Sequence, residues 1–325
     1  MTTTAPVRWG ILATGSIADK FAADLALVPD NELAAVGSRR LEAAQEFAAR
    51  HGAARAHGSY EELVNDPGVD VIYVATPHGR HLLDVRLCFE AGKNVLCEKA
   101  LTLNADDSAA LVADARRHGV FFAEAMWART NPNVRRLREV VAAGAIGDVL
   151  QVRAELGFVA PTDKARLWDP ALGASALLDV GIYPLSFVHM LLGEPETIAA
   201  AGVLSDQGID ISGGATLTYA SGAVASIAWT QVAQGDNTAV VAGPAGSIRV
   251  PGRFHEAHGF TLVRGDERET TELPVTGRGY AHEIEEVAAC LRAGLTESPL
   301  LPLDETVSIQ RQMDEILRQL GVAAR

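Results

Sequence analysis

The sequence predicts an α/β protein in two parts: a doubly wound parallel sheet, then an α+β half with an open, largely antiparallel sheet. Three observations predict it. Short apolar runs alternate with helical patterns from Val7 to about Glu124, the rhythm of βα units. Beyond that point one long apolar helix pattern is followed by short strand patterns separated by turns. The chain has 325 residues, more than one core usually serves, so two domains are expected, 1–124 and 125–325.

The first unit sets the plan. Val7 to Leu12 is an apolar run, Ala13-Thr14-Gly15-Ser16 a small-residue turn, and Ile17, Phe21 and Leu25 recur with helical spacing. Strand, tight turn and helix are the parts of a dinucleotide-binding βα unit. Gly15 has no Cβ, so the backbone can lie against a pyrophosphate that faces the free N–H groups of the next helix. Ala18 lets that helix pack close, and Ala13 stands where the usual pattern has its first glycine. Thr14, Gly15, Ser16 and Ile17 are the expected contacts to the cofactor.

A second strand, Glu32 to Gly37, leads to Ser38-Arg39-Arg40, a helix over Leu41 to Arg50, a loop near His57 and a short helix over Tyr60 to Val64. Val69 to Ala75 is a continuous apolar run, as in a strand buried on both faces. It ends in Thr76-Pro77-His78-Gly79-Arg80-His81, and a helix over Leu82 to Ala91 stops at Gly92. Strand Asn94 to Cys97 runs into Glu98-Lys99; helix Ala105 to His118 and strand Val120 to Ala123 complete the series. Ligands of such sheets bind beyond the C-terminal strand ends, where Gly15, Ser38, Thr76 and Lys99 fall.

In the second half a helix is expected over Asn133 to Ala142. Leu150, Val152, Ala154, Leu156 and Phe158 alternate with polar residues, the mark of a half-buried strand. A helix over Ala176 to Leu192 ends at Gly193. Strands follow over Thr197 to Leu204, Ala215 to Tyr219, Ala223 to Thr230, Thr238 to Ala242, Ser247 to Val250 and Phe260 to Val263. Ser221-Gly222 and Pro244-Ala245-Gly246 read as hairpin turns. Helices over about Ala281 to Ala293 and Asp304 to Leu320 close the chain.

Composition narrows the function. A net charge of −13 argues against nucleic-acid or anionic-membrane partners, and an anionic cofactor then needs a local positive site. Cys88, Cys97 and Cys290 are scattered and form no Cys-x-x-Cys pair, so neither disulfides nor structural zinc is expected. Met1 to Pro6 leave no room for a signal peptide, and no apolar stretch is expected to cross a membrane. A reducing cytoplasm is the expected setting.

The end of the second strand meets the adenosine ribose in a dinucleotide fold. A carboxylate there favours NAD, whereas a small residue followed by arginine favours the 2′-phosphate of NADP. Ser38-Arg39-Arg40 contains no carboxylate, so NADP is expected, with NAD possible. One charge-assisted hydrogen bond of about 1.5–3 kcal/mol gives Arg39 roughly a ten- to hundredfold preference.

Three more pieces carry chemistry: Glu98-Lys99 at a strand end, Glu124-Ala125-Met126-Trp127-Ala128-Arg129 at the domain junction, and Leu177 to Pro184, where Asp179 and Tyr183 share a helical face. With Ala-Thr-Gly-Ser-Ile-Ala, Gly-Ser-Arg and Ala-Thr-Pro-His…His81, they resemble, in that order and over nearly the whole chain, the glucose-fructose oxidoreductase and inositol dehydrogenase family. Within it they look most like the dimeric dihydrodiol dehydrogenase and NADP-linked sugar dehydrogenase branch. The resemblance implies an N-terminal Rossmann domain and a C-terminal domain whose open sheet joins subunits into a homo-oligomer. It implies oxidation or reduction of sugars, polyols or diols with NAD(P). It assigns Lys99 to proton relay or orientation, Asp179 as its companion and Tyr183 as the acid/base. Arg166 matches a cofactor-contacting arginine, and Tyr280 is a further cofactor candidate. Thr76, Pro77, His81, Glu98 and Lys99 join the cofactor set; Trp127, Lys99 and Tyr183 form the substrate set. The family's Glu-Lys-Pro is Glu98-Lys99-Ala100 here, which would leave the lysine less restrained.

The chemistry stands on its own terms. Oxidising a hydroxyl needs a hydride acceptor and a base. Free tyrosine titrates near pH 10, so a base near neutrality needs a pKa lower by about two to three units, roughly 3–4 kcal/mol of phenolate stabilisation. Lys99 and a cationic nicotinamide are the expected sources, and the order of proton movement stays open. His78 and His81 lack a third ligand and read as cofactor-lining or helix-start residues, not metal ligands. Trp127 and Trp168 fit a pocket wall or the core, and His189 fits packing or pocket lining. The expected protein is a metal-free NADP-dependent oxidoreductase. Its rivals are a same-fold enzyme that retains its cofactor and oxidises transiently, and a nucleotide-binding regulator without turnover.

Overall fold

A computed structural model describes residues 5–323. Met1–Thr4, within the Met1 to Pro6 stretch read above, lie outside the described residues. The chain divides into two compact units. One comprises the chain up to Thr102, then Asp106–Thr130 and Thr276–Thr306; the other comprises Leu103–Ala105, Asn131–Val275 and the chain from Val307 on. The expected boundary after residue 124 therefore misses a return of the chain to the first unit.

The first unit is built on β1 (Val7–Leu12), α1 (Ser16–Leu25), β2 (Asn31–Gly37), α2 (Leu41–His51), β3 (Arg55–His57), α3 (Tyr60–Val64), β4 (Val71–Val74), α4 (His81–Glu90), β5 (Asn94–Glu98), α5 (Ala105–His118) and β6 (Phe122–Ala125). Its six strands are parallel in the order β3-β2-β1-β4-β5-β6. The strand order reverses between β1 and β4, which opens a crevice at their C-terminal ends. Trp9, Phe21 and Tyr73 form the centre of the core: Phe21 stacks on Tyr73 at 3.7 Å and meets the edge of Trp9 at 5.4 Å. β3 replaces an expected loop. It is a three-residue edge strand, too short to show a period, held by its pairing with Ala35 to Gly37.

The second unit contains α6 (Pro132–Ala142), β7 (Gln151–Gly157), α7 (Ala165–Trp168), α8 (Ile182–Leu192), β8 (Thr197–Leu204), β9 (Asp210–Thr218), β10 (Val224–Thr230), β11 (Ala239–Gly243), β12 (Gly246–Val250), β13 (Phe260–Arg264) and β14 (Glu267–Thr271). Its eight strands lie in the order β14-β13-β12-β11-β7-β10-β9-β8, antiparallel except where β7 meets β10. Val152, Ala154 and Leu156 are buried as the alternation requires, whereas Leu150 falls before the strand and is exposed. β14 was not expected, because nearly all its residues are exposed and polar. α9 (Tyr280–Arg292) belongs to the first unit, and α10 (Leu303–Leu320) begins there and continues into the second.

The expected helix over Ala176 to Leu192 is two pieces. Leu177–Gly181 is a π turn, in which Ile182 N–H donates to Leu177 O, and α8 follows. Pro184 explains the break: its nitrogen carries no hydrogen for the carbonyl of Val180, so the preceding turn widens. Against expectation, the run Pro170–Leu192 is long and apolar enough, by length and composition, to cross a membrane; most of it is buried within the fold.

Candidate active site

In the first unit the site is built from strand ends. Ala13 follows β1 with φ +85°, a left-handed backbone that a glycine would adopt more easily, and its N–H donates to Gly37 O at 3.0 Å. Gly15 is the N-cap of α1, with no side-chain cap, and a Cβ placed on it would meet nothing within 4 Å. Open space against uncapped helix N–H groups is what a pyrophosphate requires. After β2, Ser38 is buried and Arg39 and Arg40 are exposed. Burial and the Asp84 carboxylate raise the Tyr60 phenol, while Arg39 and Arg80 beside it oppose the rise. Arg80 pairs with Asp84 at 2.7 Å. These residues fit a dinucleotide.

The backbone from Glu98 to Leu101 is clamped. Glu98 accepts from the Tyr73 hydroxyl and from Lys99 N–H. His78 Nε2 lies 3.0 Å from Lys99 O, and Leu101 N–H donates to Glu124 Oε1 at 2.9 Å. His81 is fully buried; its Nε2 lies 2.8 Å from Thr76 O and its Nδ1 3.0 Å from Ala100 O. Burial lowers its pKa, and the three carbonyls around it oppose that. Two expectations change here. His81 holds backbone and has no exposed surface for a cofactor. Ala100 does not leave the lysine loose, because side chains restrain the segment where the family uses proline; the Lys99–Ala100 peptide is cis. Glu98 likewise is a buried support of this segment, while Thr76 and Pro77 lie just beyond β4, before the turn that begins at His78.

Behind the clamp lies a set of buried acids that no local motif marks. Glu283 on α9 is fully buried, and neither carboxyl oxygen has a hydrogen-bond partner. Burial raises its pKa well above the usual range, helped by Glu98 and Asp24. Burial likewise pushes Glu124 up to about 7. Asp24 of α1 accepts from the N–H groups of Arg278 and Tyr280, both at 2.9 Å, and so fixes the start of α9. Tyr280 there packs on Trp127, ring centroids 4.9 Å apart, and both are buried.

In the second unit Asp179 sits in the π turn and Tyr183 is the second residue of α8. Arg166 on α7 donates to Asp179 Oδ1 at 3.1 Å. Tyr183 keeps 8% of its surface exposed, and its ring lies 5.1 Å from that of His255, a neighbour the sequence did not mark. Trp168 donates to Pro161 O at 2.9 Å, and His189 Nδ1 accepts from Gln312 at 2.9 Å. Among the described residues no group of three or more His, Cys, Asp or Glu is arranged to hold a metal.

Residues 7–126 match the oxidoreductase family with an NAD-binding Rossmann fold, and residues 134–249 match the GFO/IDH/MocA C-terminal domain. The chain is 39% identical to the trans-1,2-dihydrobenzene-1,2-diol dehydrogenase of Mus musculus, over 97% of each chain.

The chain belongs to the GFO/IDH/MocA oxidoreductase family.

The human protein of the same name is 36% identical over 97% of each chain. Among solved structures of this fold, the aldose-aldose oxidoreductase of Caulobacter crescentus, complexed with glycerol, aligns with TM-score 0.89 and 23% identity, covering 97% of this chain and 98% of that one. A 3-ketoreductase of Actinomadura kijaniata, complexed with NADP and TDP-benzene, aligns with TM-score 0.87 and 24% identity over the same shares. As a GFO/IDH/MocA member, the chain is an NAD(P)-binding oxidoreductase.

Proposed function

We propose that the enzyme oxidises a vicinal diol with NADP, taking a hydride and a proton from one carbinol to leave a ketone. The observation that carries this reading is full-length identity of 36–39% to dihydrodiol dehydrogenases. Asp179, Tyr183 and Lys99 stand at the positions that the family resemblance assigns to the chemistry. Bound NADP supplies the hydride acceptor. Tyr183 takes the hydroxyl proton, Lys99 presents a cation on a restrained backbone, and Asp179, paired with Arg166, orders the turn before the phenol. Arg39 meets the 2′-phosphate, with no carboxylate at the end of β2 to repel it. Trp127 lines the substrate side. We further infer that two copies join through the outward face of the second sheet. Ala199, Ala201, Val203 and Val224 are exposed there and uncharged. A cytoplasmic setting agrees with three buried cysteines that form no disulfide.

A turnover screen with trans-diols, polyols and aldoses, each with NADP and NAD, tests the reading. Diol oxidation coupled to NADP reduction is expected. Activity confined to aldoses or polyols would move the substrate to the sugar side of the family.

A further inference from the structure

We propose that Asp210 is a positioning residue for Tyr183, a role that rests on the acid/base assignment above. Asp210 opens β9 and is fully buried. Its carboxylate accepts from the Ser175 hydroxyl at 2.5 Å, from Leu177 N–H at 2.7 Å and from the Trp229 indole N–H at 3.2 Å. Ser175 Oγ in turn accepts from Leu178 N–H at 3.2 Å. These are N–H groups at the start of the helical run, where no intrahelical carbonyl serves them and a negative charge is favoured.

The contacts then run on toward the phenol. Leu177, held at its N–H by Asp210, accepts at its carbonyl from Ile182, the residue before Tyr183. Trp229, held at its indole N–H by the same carboxylate, fills the space beside Gly181. A Cβ on Gly181 would lie 2.9 Å from Trp229 Cγ, and one on Gly213 would lie 2.5 Å from Cζ2. The indole therefore seats between two glycines, and the π turn rests on it. One carboxylate fixes both the first N–H groups of the turn and the surface beneath its last residue. Asp179 and Tyr183 take their directions from that turn.

A plain helix cap would affect melting alone. A positioning residue also affects the turnover of the folded enzyme. Asp210→Asn keeps the size and replaces one acceptor oxygen by a donor, which meets the N–H or hydroxyl now served. In folded protein, with NADP affinity unchanged, kcat is expected to fall roughly ten- to hundredfold while substrate KM stays within about twofold, and the deuterium isotope effect on kcat to rise. Ser175→Ala, which removes one of these contacts, should act in the same direction by a smaller factor, and decides the question if Asp210→Asn does not fold. Wild-type kcat and isotope effect in the folded variants, with melting alone lowered, would overturn the proposal. Tyr183→Phe run in parallel separates the two readings. Normal turnover there removes the acid/base assignment and this role with it; loss of turnover there beside a normal Asp210→Asn enzyme removes only the role of Asp210.

Discussion

Replacing Glu124 by Gln should make the stability of the first unit less sensitive to pH. Glu124 lies on β6, 4% exposed, and burial pushes its carboxyl up to about 7 from an ordinary 4.5. The Leu101 N–H, the Thr306 hydroxyl and Arg129 all favour the charged form, so burial, helped by the Glu98 carboxylate, prevails over three opposing partners. Between those two pH values the folded carboxyl keeps a proton that the unfolded chain has released. The folded state then binds more protons, so its stability falls as pH rises through the window and levels off above about 7. At about 1.4 kcal/mol per pH unit the whole window is worth about 3.5 kcal/mol. Gln is neutral throughout and keeps an oxygen for Leu101 N–H. Relative to wild type, Glu124→Gln should therefore gain about 3.5 kcal/mol between pH 4.5 and 7.5. Two compact units need not unfold together, so urea unfolding should be paired with amide exchange at β5 and β6. A difference between the two proteins that is constant across this range would refute the reasoning, because it would mean that Glu124 is already ionised in the folded protein.

Three further outcomes follow from the site. Arg39→Asp should reverse the NADP/NAD preference, by roughly ten- to hundredfold on each side, measured as the ratio of the two dissociation constants; an unchanged ratio removes Arg39 from the 2′-phosphate site. Ala13→Gly should relieve about 1 kcal/mol or more of left-handed strain and return about 0.4–1 kcal/mol through the freer unfolded chain. The melting temperature should rise slightly or hold, and a clear fall would show that Ala13 is not strained. Tyr183→Phe and Lys99→Ala should each lower kcat by roughly a hundredfold or more while NADP still binds, and near-normal turnover in both would contradict their assignment.

The parts of this fold that announce themselves do so through period and punctuation. Ala105–His118 and Thr197–Leu204 could be read to the residue, because the helical pattern stops at Gly119 and the strand-like run stops at Ser205-Asp206-Gln207-Gly208. β3 and β14 could not, since a three-residue edge strand and an exposed polar strand carry no period. The helical pattern of α9 was visible, yet a period says nothing about which core receives its apolar face. The site divides in the same way. Gly15, Arg39, Lys99 and Tyr183 stand in local motifs. Asp24 and Asp210 look like any polar residue until the chain brings distant N–H groups to them. Of the two readings of His78 and His81, cofactor-lining or helix-start, the fold shows the second: His81 opens α4 and turns inward to hold carbonyls.

The proposed reaction is direct transfer of a carbinol hydrogen to NADP. A trans-vicinal diol carrying deuterium at its carbinol carbons, mixed with enzyme and NADP, tests it by mass spectrometry of the recovered cofactor. One deuterium in the reduced nicotinamide for each ketone formed is the expected result. Product without reduced cofactor, or deuterium lost to solvent, would contradict it.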